Sequence, residues 1–133
     1  MEIKLDKRKY YKGVFIFAAL YNIINAIIFI IISIMATDMF STFGVEIPPS
    51  MVWLQLSLIL ILIFGIGYII VSRNLEENHG IVIIGAIAKT MFFLLSILYF
   101  VLGDINILIV LLGSVDIITV VLFVEFLFNF KKL

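Results

Sequence analysis

The stretch GVFIFAALYNIINAIIFIIISIMA, residues 13–36, holds no charged side chain from end to end. A helix needs about 20 apolar residues to cross a hydrocarbon core of about 30 Å, and this run reaches that length. Three further stretches repeat the pattern. Residues 47–72 are also uncharged, residues 80–103 carry one charge at Lys89, and residues 105–124 carry one at Asp116. Ile, Val and Phe are poor helix formers in water, but lipid offers backbone groups no other partner within an isolated segment. A transmembrane barrel would need polar residues alternating with apolar ones. Runs such as IIFIII (27–32) and LILILIF (58–64) have no alternation. The expected fold is all-α: an integral membrane, antiparallel four-helix bundle forming a single domain over residues 1–133. Its spans fall at about 13–36, 50–72, 80–102 and 105–128.

Composition agrees with that reading. Hydrophobic residues make up 65% of the chain and charged ones 14%, against roughly half and a quarter in soluble domains. The mean hydropathy is +1.32. Nine basic residues balance nine acidic ones, so no basic surface points to nucleic acid. With no cysteine, disulfides, thiolate metal sites and thiol redox chemistry are excluded. The first apolar run exceeds the 7–15 residues usual in a cleavable signal and lacks a small-residue cleavage site, so it reads as a retained span.

Local signals place the boundaries. Pro48 and Pro49 stand at the start of the second span, where a missing N–H costs little, and Asn78 and Asp104 are placed to cap the third and fourth helices. The short turns 73–79 and 103–106 make helices two and three, then three and four, antiparallel neighbours. The longer connection 37–47 contains Met39, Phe40, Phe43 and Val45 and reads as an amphipathic interfacial segment. Lys4, Lys7, Arg8, Lys9, Lys12, Arg73, Lys131 and Lys132 fall on one side of this topology. The other side has only Asp38, Glu46 and Asp104. The positive-inside rule then predicts a multi-pass protein of the cell membrane with both termini cytoplasmic. Trp53, Tyr99 and Phe100 would mark the outer interface, and Tyr10, Tyr11 and Phe130 the inner one.

Two charges inside spans are the informative residues. At 1.5 Å rise per residue, Lys89 lies roughly 13 Å from the cytoplasmic boundary and Asp116 roughly 16 Å from the outer one. Charges at such depth are costly, commonly paired, and default functional candidates. A structural salt bridge between helices three and four, or a snorkelling lysine, is the plainer alternative. Asn22 and Asn25, three apart on one face of the first helix, lie at a similar depth. They can glue helices by hydrogen bonds or line a cavity with the charged pair. Gly65, Gly67 and Gly85 read as close-packing positions, and the Tyr68 hydroxyl is placed to reach the same region. His79 alone does not make a metal site, and Glu125 is expected to reach interfacial water. No nucleophile with an acid–base partner, no paired carboxylates at one depth and no phosphate-binding glycine loop is present, nor any cofactor motif.

Several short pieces occur together in a familiar order: Leu20-Tyr21-Asn22, Phe43-Gly44, Trp53-Leu54-Gln55, Gly65-Ile66-Gly67-Tyr68, His79 with Ile81-Val82, Gly85-Ala86-Ile87-Ala88-Lys89, and Asp116. On these the chain resembles a family of bacterial four-helix membrane proteins, broadly DoxX-like in size and layout. Where relatives carry His-Trp-Pro, this chain has His79-Gly80-Ile81 and so lacks the aromatic ring. The resemblance implies a shared bundle and a shared polar centre, but no activity.

The expected function is a small binding or transport-like bundle. It would hold a lipid, quinone or other small amphiphile near Asn22, Asn25, Tyr68, Lys89 and Asp116. The alternative is a structural accessory subunit of a larger membrane complex; a membrane enzyme ranks last. The bilayer and a small amphiphile are the expected partners, with a homo-oligomer also compatible with so apolar a surface.

Overall fold

A computed structural model describes residues 6–133; the Lys4 charge lies outside them. Four helices follow in order: α1 Lys7–Met35, α2 Val52–Arg73, α3 His79–Leu102 and α4 Ile107–Asn129. All four are long and apolar enough to cross a membrane. At 1.5 Å per residue, the 22 to 24 residues of α2, α3 and α4 measure about 33 to 36 Å, and the 29 of α1 about 44 Å. Among the described residues there is no strand.

Capping explains why the helix ends differ from the apolar boundaries. Helix α1 starts six residues before its apolar stretch because Asp6 caps it, with Oδ1 accepting from the backbone N–H of Arg8 at 3.1 Å and of Lys9 at 3.4 Å. Pro48 and Pro49 lie outside α2 rather than in its first turn; Ser50 Oγ accepts from Val52 N–H at 3.4 Å. Asp104 does not cap α4. Helix α3 ends in a Schellman motif, with Gly103 at φ 87° and the N–H of Asp104 bonded back to Tyr99 O at 2.9 Å. Asp104 is thus committed to the preceding helix. The cap falls to Asn106, whose Oδ1 accepts from Leu108 N–H at 3.0 Å. Asn78 does precede α3, but at φ 65° and without a side-chain cap bond.

The basic residues gather at one end of the bundle. There Arg8 pairs with Glu76 of the α2–α3 turn at 2.5 Å, and its hydrogen bond holds the Glu76 carboxyl below the usual carboxylate range. Tyr11 donates to Glu125 of α4 at 2.8 Å. The start of α1, the end of α4 and the turn after α2 therefore share this basic end, and Asp38, Glu46 and Asp104 lie exposed at the other. Trp53, Tyr99 and Phe100 face outward near that acidic end. Tyr11 is no interfacial belt residue: it is buried at the edge of the core, against Phe126.

Packing divides the bundle into two hairpins. Helix α1 lies along α2 and α3 along α4, whereas α2 meets α3 over a shorter stretch and α1 touches α4 least. Helices α2 and α3 are the antiparallel neighbours their short turn implies, and they meet near that turn, where Gly67 faces Ile81 and Gly85 receives the ring of Tyr68. The dense core fills the basic half. Phe15 packs at 4.9 Å on both rings of α4, tilted against Phe123 and edge-on to Phe126, and Tyr68 meets Phe123 edge-on at 5.1 Å. Val71, Leu75 and Val82 complete it. Towards the acidic end the hairpins separate.

Candidate functional site

The separation leaves a cavity of about 260 Å³ that every helix lines. Its floor rests on the aromatic core and is polar. Lys89, from α3, is 5% exposed and donates to Asp116 Oδ1 of α4 at 2.5 Å and to Asn22 Oδ1 of α1 at 2.9 Å. Asn22 in turn donates through Nδ2 to the Ile61 carbonyl of α2 at 3.1 Å. One ammonium group thus ties three helices, and the amide extends the chain of bonds to the fourth. The side chain of Lys89 does not snorkel toward either end.

Two tyrosine rings flank the ammonium, with centroids 5.8 Å away at Tyr21 and 5.6 Å away at Tyr68, inside the range of cation–π attraction. Tyr21 donates its hydroxyl to the Leu112 carbonyl at 2.6 Å, which bridges α1 to α4. Asn25, one turn further along α1, donates to the Tyr21 carbonyl at 2.8 Å instead of joining the charged pair. It still lines the cavity wall.

The walls and roof are apolar. Leu58, Ile61 and Phe64 of α2 face Ala26 and Phe29 of α1 and Phe92 of α3 across the space. The roof comes from the connection after α1, which folds as a 3₁₀ segment, Thr37–Phe43. Sequence reading laid this connection on the membrane surface. Instead Phe40 is 4% exposed and Phe43 packs on Phe29 at 5.2 Å, both pointing into the bundle, while Met39 stays outward. Asn106 pins the segment by donating its side chain to Thr42 O at 2.6 Å and its backbone N–H to Phe43 O at 3.0 Å.

The five residues singled out from the sequence, Asn22, Asn25, Tyr68, Lys89 and Asp116, all line this one cavity. Those overlooked are Tyr21 and the roof pair Phe40 and Phe43. Tyr21 had a signal: a hydroxyl beside Asn22 in the middle of an otherwise apolar span. His79 sits away from the cavity, its ring stacked on Phe130 at 3.8 Å and bonded to Leu75 O at 2.9 Å. Among the described residues no three His, Asp or Glu side chains gather as metal ligands would.

Fold and site together define a multi-pass helical membrane protein with a polar-floored cavity inside its bundle. Comparison with known protein families, with curated proteins and with solved structures finds no match for this chain.

Proposed function

We propose that the protein binds a small amphiphile between its helices and serves as a lipid-binding or transport-like bundle. One observation carries this reading: an apolar-walled cavity whose closed end presents a lysine, a carboxylate, an amide and a tyrosine hydroxyl. Ligand sites are typically apolar hollows with a few convergent polar groups, and ionisable groups inside a span are by default functional. A purely structural bundle would gain more from filling that space, because voids forfeit packing energy. The same reading sets the protein in the cell membrane with its basic end in the cytoplasm, supported by the separation of charge between the two ends. The DoxX-like resemblance is compatible with it and contributes no activity.

Native mass spectrometry from a mild detergent tests the proposal. The wild-type chain should retain a co-purified lipid-sized adduct. Leu58→Phe and Ala26→Leu, which fill the cavity, should lose the adduct while unfolding no earlier on heating. A wild-type protein free of adduct but bound to another subunit would replace this reading with that of an accessory subunit.

A further inference from the structure

Two polar atoms of the floor have no hydrogen-bond partner among the described residues. Tyr68 is 1% exposed, yet its hydroxyl makes no hydrogen bond among the described residues. Asp116 is 8% exposed and uses only Oδ1, leaving Oδ2 without a protein partner. No fully covered side-chain oxygen or nitrogen goes unpaired among those residues. Both spare atoms therefore keep some open surface, and the space those two side chains border is the cavity. One is a donor and the other an acceptor.

Charge at the floor is already balanced. Lys89 and Asp116 are the only charged residues among those lining the cavity, and they contact each other. A charged ligand head would bring an unmatched charge into a membrane-buried site, which is costly. A neutral head with one acceptor and one donor matches what is spare. A hydroxyl does so, taking a hydrogen bond from Tyr68 and giving one to Asp116.

Size and shape constrain the rest of the ligand. About 260 Å³ is below the roughly 300–1,000 Å³ of pockets that enclose whole small molecules. It holds a head and the start of one chain, not two chains. A shallow groove between α1 and α4, walled by Ile28, Leu108 and Leu111, shares Asn25, Phe29 and Leu112 with the cavity. Among neighbouring helices, α1 and α4 touch least.

Resting on the amphiphile-binding reading above, we infer that the ligand is a neutral, single-chain amphiphile with a hydroxyl head. The head sits on Tyr68 and Asp116, and the tail leaves for the bilayer between α1 and α4.

Three probes with matched twelve-carbon chains separate the possibilities: 1-monolauroylglycerol (neutral), dodecanoate (anionic) and dodecyltrimethylammonium (cationic). Each is added to the full-length protein in mild detergent and adducts are read by native mass spectrometry. The neutral probe should bind at least tenfold better than either ion. Tyr68→Phe keeps the ring and its packing, which its unfolding temperature checks, and should weaken the neutral adduct roughly fivefold, the size of one net hydrogen bond. A photoreactive group at the chain end of the neutral probe should label Ile28, Leu108 or Leu111. Preference for either ion would leave a ligand site standing and overturn the neutral-head assignment. Labelling along the α2–α3 seam would overturn the exit path. Binding of none of the three would sink this inference and the binding reading together.

Discussion

Lys89 carries three ammonium protons and the bundle gives it two acceptors, Asn22 Oδ1 and Asp116 Oδ1. Its depth makes that arrangement consequential. An unpaired charge inside a span is unfavourable by about 3 kcal/mol even on lenient insertion scales, and pairing removes much of the cost. Lys89→Met should therefore destabilise the protein by about 3 kcal/mol in detergent, because Asp116 is stranded and Asn22 loses its donor. Adding Asp116→Leu should restore much of the loss, though not all, since Asn22 Oδ1 stays unpaired. Thermal unfolding of the two variants checks the order. A double variant no more stable than the single one would mean that the pair contributes through something other than mutual neutralisation. If the pair also serves the ligand, the double variant will fold and yet lose the bound amphiphile. The position of the pair was readable from sequence because a charge in an apolar run has few tolerable environments. The exact partner on α1 was not: Asn22 and Asn25 share a face, and in the bundle Asn22 meets Lys89 while Asn25 turns to the Tyr21 carbonyl.

At the scale of helices, apolar periodicity carries little information. Ile66 and Ile70 face outward on α2 while Val71 is fully buried, and on α4 Ile118 and Val121 face outward while Phe123 and Phe126 are fully buried. Lipid and core accept the same residue types, so the number of helices could be read and the pairing of their faces could not. Small residues are better markers. A Cβ on Gly65 would stand 3.1 Å from the Ala19 carbonyl and 2.7 Å from Ile23 Cγ1, which shows how closely α2 approaches α1. A Cβ on Gly85 would stand 2.5 Å from the Tyr68 hydroxyl, inside the α2–α3 seam. Gly13 and Gly80 are helical too, but nothing lies within 4 Å of a Cβ there. The four glycines should then divide. Gly65→Ala and Gly85→Ala are expected to cost about 1–3 kcal/mol by overpacking. Gly13→Ala and Gly80→Ala should be neutral or gain up to about 1 kcal/mol in helix propensity. Melting temperatures of the four single variants in one detergent are the measurement. If all four respond alike, close backbone approach is not what these seams depend on. Helix ends were the least readable feature for a different reason: Asp6, Gly103 and Asn106 decide them by hydrogen bonds that no hydropathy pattern records.

For the whole molecule, the two ends of the bundle differ in charge and in construction. The basic end is sealed by the aromatic core and cross-tied by Arg8 to Glu76 and Tyr11 to Glu125. The acidic end is roofed by one short 3₁₀ segment over the cavity. The proposed orientation, with the basic end in the cytoplasm, rests on the insertion machinery's retention of Lys and Arg, a bias that operates on short flanking segments such as these. Seven basic residues of the described chain (Lys7, Arg8, Lys9, Lys12, Arg73, Lys131 and Lys132) lie at or beside one end, and none lies at the other. The absence of native cysteine makes a direct test clean, since any thiol label reports an introduced site. Ser41 and Asp104 are exposed at the acidic end, and Glu77 is exposed in the turn at the basic end. None of these three side chains caps one of the four helices or lines the cavity, so each tolerates Cys with little strain. In intact cells, a membrane-impermeant maleimide should label Ser41→Cys and Asp104→Cys. Glu77→Cys should react only after the membrane is permeabilised. Labelling of Glu77→Cys in intact cells, with Ser41→Cys and Asp104→Cys silent until permeabilisation, would invert the orientation, and the cavity's roof would then open toward the cytoplasm.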